Sequence, residues 1–363
     1  MFHTLTVKNI IAETPVAATV VFDIPQNLKE VFRYTQGQYV TINCVVNNQP
    51  ERRAYSICTS PLESDFAITI KRQKGGLVSN FALDNFRIGS LVEVKPPEGR
   101  FHTPLDAAQR NNYYLIGTGS GITPLMSIIK TILEIEPQSS IYLLYGNRDE
   151  DNIIFKSQLD ALQQRYEGQL IVEYILSQPK VKKDGGIMGL FKKETTLWKG
   201  KIGRIDSRGF ETFLAQYPPT KNAIYYLCGQ QGMIETVEAA LHQGNVDKKQ
   251  IHKEYFNTTK DASAVSGDGL ASHSKLTVVL EGKIIELELP AHKTVLQALL
   301  EQRYEPPYSC TTGSCSTCMA KVTEGKAKMD ACYALDDDEV ADGYILTCQA
   351  RALTPTLSVN YDL

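Results

Sequence analysis

The chain has no excess of basic charge: 38 Lys and Arg stand against 41 Asp and Glu, a formal net charge of −3. Holding nucleic acid requires clustered cations to neutralise phosphates, so that class of function is set aside. No apolar run approaches the roughly 18 to 20 residues needed to cross a bilayer. Residues 1–25 also lack the ordered basic start, apolar stretch and small-residue cleavage site of an export signal. They alternate apolar and polar residues on either side of Glu13 to Pro15, as a β-hairpin does. These absences lead us to expect a cytoplasmic protein with neither nucleic acid nor membrane among its partners. Compositional extremes are missing too: a hydrophobic fraction of 42% and a charged fraction of 22% exclude collagen-like, disordered and disulfide-scaffold chains.

What is present is long for one core, since 363 residues suggest two or three domains. From Thr4 to about Pro104 the pattern is short, β-rich and punctuated by turns: Leu5–Val7, Ala18–Phe22, Gln38–Ile42, Phe66–Ile70 and Leu91–Val94. Strands so spaced predict an antiparallel β-barrel over residues 1–105. Beyond it, apolar strands at Tyr113–Ile116, Ile141–Tyr145, Leu170–Leu176 and Ala223–Leu227 alternate with helical stretches such as Pro124–Leu133 and Ile153–Gln164. Alternation of that kind predicts a doubly wound, parallel α/β domain over 106–258. Residues 259–272 are small and polar, as a flexible linker is. A third unit, 273–363, opens with a hairpin about Glu281-Gly282-Lys283 and a helix from Thr294, a plausible cap. Pro179 to Leu197 fits no element and is expected to be a mobile insertion, either a partner contact or a surface loop without a role.

The eight Cys of a reduced compartment are ligands, catalytic thiols or buried small side chains in preference to disulfides. Cys310, Cys315, Cys318 and Cys348 follow the spacing C-x4-C-x2-C-x29-C, the plant-type arrangement for a 2Fe–2S cluster. A structural zinc site is the alternative, but zinc usually takes two short C-x2-C knuckles and only one is present. Residues 273 to 363 resemble plant-type ferredoxins through Tyr308-Ser-Cys310, Gly313-Ser-Cys315-Ser-Thr-Cys318 and Leu346-Thr-Cys348. That resemblance implies a β-grasp fold and a one-electron carrier. Cys332 lies outside the pattern and reads as a packed thiol. The acidic run Asp336 to Glu339 reads as a docking surface or, more simply, a solvated helix start.

Two further motif sets lie upstream. Arg53-Ala-Tyr55-Ser56 and Gly75-Gly76-Leu77-Val78-Ser79 resemble the two flavin motifs of the ferredoxin reductase family. Arg53 has forked donors for phosphate, Tyr55 an aromatic face for the flavin ring and Ser56 a hydroxyl for the neighbourhood of its N5. The glycines leave the amides of Leu77 to Ser79 free for phosphate at a helix start. Gly117-Thr118-Gly119-Ser-Gly121-Ile-Thr123 follows an apolar strand and opens a helix, the setting of a phosphate-cradling loop. Ile122 stands where the common G-x-G-x-x-G pattern has its last glycine, and the match is instead to the nicotinamide loop of the same reductases. Tyr226-Leu-Cys228-Gly229 completes their set, with Gln230 in place of the usual Pro. By this resemblance Cys228 sits at the nicotinamide C4, Phe256 covers the flavin face and Glu254 tunes the site. Ser177-Gln178 occupies the place of a Ser-Arg pair in NADP-specific relatives, which leaves NADH and NADPH both open, with Arg148 and Lys180 as candidates for a 2′-phosphate.

Barrel, nucleotide domain and C-terminal ferredoxin in one chain resemble the reductase components of multicomponent oxygenases, the phenylacetyl-CoA epoxidase type among them. The resemblance implies FAD, with FMN the lesser alternative, and an oxygenase or other redox protein as acceptor. Electron counting agrees. Nicotinamide gives two electrons as hydride, an iron–sulfur cluster takes one, and a flavin can stand between them. Ser56, Cys228 and Glu254 are the candidate catalytic residues. Two other readings remain: a general reductase of a soluble ferredoxin or flavodoxin, and a redox sensor that reports the state of its cluster.

Overall fold

The computed structural model describes residues 1–183, 194–257 and 270–362. The N-terminal alternation becomes strands β1 (His3–Thr14) and β2 (Ala17–Asp23), an antiparallel hairpin. β3 (Tyr39–Val46), β4 (Gln49–Ser56), β5 (Phe66–Lys71) and β6 (Leu91–Val94) complete a six-stranded sheet in the order β4-β3-β6-β1-β2-β5. An antiparallel bridge from Ile57, just past β4, to Ile68 in β5 joins the two edges and closes the barrel. Leu5, Val20, Val40, Ile42, Ile68, Ile70 and Val94 fill its interior, and helix α1 (Leu77–Asn85) lays Val78 and Ala82 on the same core.

The α/β layer follows as β7 (Asn112–Thr118), α2 (Ile122–Ile135), β8 (Ser140–Asn147), α3 (Lys156–Arg165) and β9 (Leu170–Leu176). After these come β10 (Val181–Lys183), β11 (Glu194–Thr196), β12 (Lys201–Ile202), α4 (Ser207–Gln216), β13 (Ala223–Gln230), α5 (Gln231–Gln243) and β14 (Ile251–Asn257). The main sheet runs β12-β9-β8-β7-β13-β14 and is parallel throughout. Tyr113 to Ile116 are fully buried, because a central parallel strand is covered on both faces and reads as an unbroken apolar run. The chain winds outward from β7 to β12, then returns to the other side of β7 with β13. Ligands bind outside the carboxyl ends of strands at such a reversal.

Hydrogen bonds fasten the barrel to this layer. Ser127 in α2 donates to the Thr59 carbonyl at 2.6 Å and Thr131 to the Ser60 hydroxyl at 3.0 Å. The wholly buried Glu136 accepts from the Tyr113 hydroxyl at 2.9 Å, the Ser139 hydroxyl at 2.7 Å and the Asp106 amide at 3.1 Å. A buried carboxyl is tolerable only when its oxygens are satisfied in this way.

The remaining chain forms β15 (His273–Leu280), β16 (Lys283–Pro290), α6 (Val295–Glu301), β17 (Met319–Glu324), β18 (Ala327–Met329), α7 (Asp337–Ala341), β19 (Tyr344–Leu346), β20 (Ala350–Ala352) and β21 (Thr356–Asn360). Its mixed sheet, β16-β15-β21-β17-β19, packs Leu276, Val278, Leu357 and Val359 against Val295, Ala298 and Leu299 of α6. This is the expected β-grasp. Thr294 caps α6 in a reciprocal box with Gln297, and Asp336 with Glu339 does the same for α7. The acidic run is thus a helix start. By its contacts the chain divides into two compact units, residues 1–51 with 55–257, and residues 258–363 with 52–54.

Several boundaries differ from the sequence expectation. Ile153 to Phe155 are buried but precede α3, whose start is fixed by Phe155 in the left-handed region at φ 60°. The insertion at Pro179 to Leu197 has a paired base, β10 against β11, in register Val181 to Thr196 and Lys183 to Glu194. Its apolar centre, Ile187 to Phe191, and the pair Lys192-Lys193 lie outside the described residues, as do residues 259–269 of the expected linker. Ala271 and Ser272, at the linker's end, are already bound to the C-terminal unit through the Ala352 carbonyl and the Ala291 amide.

Candidate functional site

At the carboxyl edge of the parallel sheet, register sets Gly117 of β7, Cys228 of β13 and Glu254 of β14 side by side on three neighbouring strands. The backbone there is packed closely. A Cβ on Gly121 would lie 2.2 Å from the Cys228 carbonyl oxygen, and one on Gly229, at φ +143°, would lie 2.1 Å from Thr118 Oγ1. Only glycine fits at either place. Thr118 Oγ1 accepts from the Gln230 amide at 3.1 Å, Thr123 donates to the Ser120 carbonyl at 2.9 Å, and the Tyr145 hydroxyl donates to the Gly119 carbonyl at 2.8 Å. The loop is thereby held open in front of α2, where a helix N-terminus favours phosphate.

The barrel contributes β4. Ser56 at its end is buried, and its hydroxyl donates to Glu254 Oε2 at 3.4 Å across 198 residues of sequence. Arg53 and Tyr55, on the same strand, are half-buried. Gly76 is the cap position of α1, so Leu77, Val78 and Ser79 form its first turn. The Ser79 hydroxyl accepts from the Gln73 amide at 3.2 Å and shapes the approach to it. Both motifs expected to hold flavin therefore lie on the barrel, and Ser56 brings β4 to the carboxyl edge of the parallel sheet.

Burial pushes the Glu254 carboxyl up to about 8, with the Ser56 hydroxyl opposing the shift. The residue as a whole keeps partial exposure, while the carboxyl itself is enclosed. Its neighbour Cys228 is wholly buried, and burial together with the Glu254 charge raises the thiol well above its ordinary range. Cys228 is accordingly a neutral thiol, with none of the thiolate character of an activated nucleophile. Phe256 stands at a bulge: Gly229 pairs with Tyr255 and Gln230 with Asn257, so Phe256 is the extra residue of β14.

Two site residues escaped the sequence reading. Lys71, at the end of β5, has its ammonium 3.3 Å from where a side chain on Gly119 would begin. Burial lowers its pKa while Asp149 opposes the shift. Asn147 ends β8 with only 8% of its surface exposed, its side chain beside the buried Tyr145 hydroxyl. A lysine closing an apolar strand was a readable signal for the first, whereas nothing in sequence marks the second.

In the C-terminal unit the four expected thiols come together as a chain of contacts, Cys315 to Cys310 to Cys348 to Cys318. They do not converge on one point, and among the described residues no group of three or more His, Cys, Asp or Glu is placed to hold a single ion. A hydrogen bond with Cys315 pushes Cys310 well below the ordinary thiol range and one with Cys348 lowers Cys318, while the same contacts raise Cys315 and Cys348. The Thr312 amide approaches Cys310 Sγ at 3.5 Å and Gln349 Nε2 approaches Cys348 Sγ at 3.6 Å. Thr347 donates to the Cys318 carbonyl at 2.9 Å and takes a hydrogen bond from Tyr361 at 2.7 Å, fixing the turn between β19 and β20 that delivers Cys348. Four thiols gathered in mutual contact, with N–H donors approaching two of them, fit a 2Fe–2S cluster. Cys332 packs beside this core as an ordinary thiol.

Comparison with known proteins accords with this division. Residues 4–103 match the oxidoreductase FAD-binding domain, 115–239 the oxidoreductase NAD-binding domain and 278–353 the 2Fe-2S iron-sulfur cluster binding domain. A component protein of the 1,2-phenylacetyl-CoA epoxidase of Escherichia coli (strain K12) is 35% identical over 99% of this chain and 98% of its own length. The chain belongs to the flavin and iron–sulfur reductase components of oxygenases. The ferredoxin reductase component of the 3-ketosteroid-9-alpha-monooxygenase of Rhodococcus rhodochrous is 32% identical over 98% of this reductase and 96% of its own chain. Among solved structures, phthalate dioxygenase reductase has the same fold, with a TM-score of 0.60 and 23% identity over 99% of this chain and 98% of its own. The reductase is an NAD(P)H-dependent oxidoreductase that uses FAD and a 2Fe–2S cluster. No helix among the described residues is long and apolar enough to cross a membrane.

Proposed function

We propose that this reductase supplies electrons to an oxygenase of the phenylacetyl-CoA epoxidase type, and that the motif residues have the roles their positions suggest. The observation that carries the assignment of roles is the alignment of Gly117, Cys228 and Glu254, with Ser56 reaching Glu254 from the barrel. The loop 117–121 and Thr123 take the pyrophosphate. Cys228 and Gly229 present a flat, uncharged wall to the nicotinamide ring. Arg53 and the first turn of α1, with Gly75 and Gly76 before it, hold the flavin phosphates. Tyr55 and Phe256 cover the ring faces, with Phe256 yielding to nicotinamide. Ser56 lies beside the ring's reactive edge, and the protonated Glu254 below pH 8 steadies the Ser56 hydroxyl and holds a proton one hydrogen bond away. When bound, FAD accepts hydride and releases electrons singly. Cys310, Cys315, Cys318 and Cys348 hold the cluster, and the tether between units makes the last internal transfer intramolecular.

The whole-length likeness to the epoxidase component supports this choice of acceptor. The test is reconstitution of the purified holoprotein with a phenylacetyl-CoA oxygenase, NAD(P)H and substrate. Epoxide formation that requires every component is the expected result. Brisk reduction of a small ferredoxin or flavodoxin with no epoxide would move the assignment to a general reductase. A protein that binds its cofactors without oxidising NAD(P)H would be the sensor.

A further inference from the structure

At the end of the parallel sheet opposite Cys228, the amino ends of three neighbouring strands frame an open cavity of about 400 Å³. Asn111 precedes β7, Lys221 and Asn222 precede β13, and Lys249 and Gln250 precede β14, with His252 on that strand. Gln250 staples the two lysine-bearing segments together, its Nε2 donating to the Ala223 carbonyl at 2.6 Å and the Lys221 carbonyl at 3.1 Å. Asp247 turns its carboxylate to the Lys249 amide at 2.9 Å and fixes the turn that carries that side chain. The His252 ring stacks on the buried Tyr226, centroids 5.0 Å apart, and the Tyr226 and Thr103 hydroxyls are hydrogen-bonded at 2.8 Å. The cavity is thus a built feature of the strand ends.

Its charge is of one sign. The described lining residues include two lysines, a histidine, three side-chain amides and a threonine, with no carboxylate among them. Among the described residues neither the Lys221 nor the Lys249 ammonium makes an ion pair or hydrogen bond. Glu136, behind Asn111, is enclosed by the Tyr113 and Ser139 hydroxyls and the Asp106 amide. Ile224 is the single apolar side chain of the described lining, so an apolar ligand gains little there. A concave wall with converging cations suits a small anion better than the flat face of another protein. We propose that this edge is a binding site for a small multivalent anion, a phosphorylated or polycarboxylate metabolite. Lys221 and Lys249 hold its charge, and the Asn222 amide and His252 ring add hydrogen-bonding groups. Ile224 and Cys228 stand four residues apart on β13, roughly 13 Å at the rise of a strand, so this site is separate from the loop 117–121.

The experiment titrates the full-length holoprotein calorimetrically with inorganic pyrophosphate and with citrate at low ionic strength. Saturating NAD⁺ is present throughout, so that the loop 117–121 is already filled. One anion should bind per chain. The double variant Lys221→Ala with Lys249→Ala should bind it about tenfold more weakly, the scale set by two exposed charge contacts. Lys221→Arg with Lys249→Arg keeps both cations and should stay within about threefold of the wild type. Added salt should weaken binding, because both lysines are exposed. NAD(P)H-dependent ferricyanide reduction should be the same in the wild type and both variants, which also shows that the variants fold. Stronger binding of pyrophosphate identifies a phosphorylated ligand, and stronger binding of citrate a polycarboxylate. The proposal is overturned if neither anion binds below about 10 mM, if saturating NAD⁺ abolishes the binding, or if the double alanine variant binds as the wild type does.

Discussion

The edge proposed for nicotinamide draws Ser56, Gly117, Cys228 and Glu254 from four strands, its first and last members 198 positions apart. The cluster loop draws Cys310, Cys315 and Cys318 from one short segment and only Cys348 from elsewhere. In the first site the chemistry depends on strand register and on main-chain clearance measured in tenths of an ångström. In the second it depends on side-chain identity, with the fold bringing one more sulfur to a nearly complete set. Distributed sites should thus fail through small changes of backbone, and local sites through loss of a ligand.

The largest effect is expected at the cluster. Cys315→Ser should abolish 2Fe–2S absorbance and cytochrome c reduction while NAD(P)H-dependent ferricyanide reduction stays within twofold. Equal loss of both activities would erase the separation between the two sites. Next is Gly121→Ala, which adds only a methyl group but drives it against the Cys228 carbonyl. Nucleotide kcat/KM should fall about 100-fold, the scale on which a misplacement of about 1 Å acts, with iron and flavin content unchanged. A mild effect would mean that the close approach is not what orders the loop.

Glu254→Gln should slow flavin reduction about tenfold, the lower end of what a positioned proton donor provides or below it. It should also remove a pH dependence with a computable sign. The folded-state value, near 8, lies above that of an unfolded Glu at roughly 4.3, so the native protein holds an extra proton between the two. Stability from this group is full below the unfolded value and declines as pH rises through 8. The Gln variant should lack that decline in denaturation measured from pH 5 to 9, and a wild-type curve already flat would contradict the burial argument. The smallest effect belongs to Thr294→Ala, which removes the cap of α6. It should lower the stability of the ferredoxin unit by about 1 kcal/mol in urea unfolding and leave nucleotide turnover alone.

The same contrast governs what could be read from sequence. The spacing of the four cysteines declared the cluster outright, and the buried strands β7, β8, β9 and β13 announced themselves as continuous apolar runs. β4 did not, because Gln49 to Ser56 is polar and only pairing on the barrel makes it a strand. Ile153 to Phe155 imitated a helix start, since burial looks alike in both settings until the left-handed Phe155 decides it. In the proposed site, family likeness singled out the glycines and Ser56, Cys228 and Glu254, which register and one hydrogen bond bring to a common edge. The buried Asn147 was not, nor was the Lys180–Asp151 ion pair, because both depend on which side chains a parallel register brings together.

At Phe256 the extra residue of β14 breaks the ladder's count, so that Gln230 meets Asn257 and not the aromatic. Insertions and deletions should consequently be unequal along this strand. Replacing the phenylalanine changes one ring, but deleting any single residue between Glu254 and Asn257 re-indexes the pairing and turns an aromatic plate toward the opposite side of the sheet. A fixed length is therefore required here in addition to the side chains of Glu254 and Phe256 themselves.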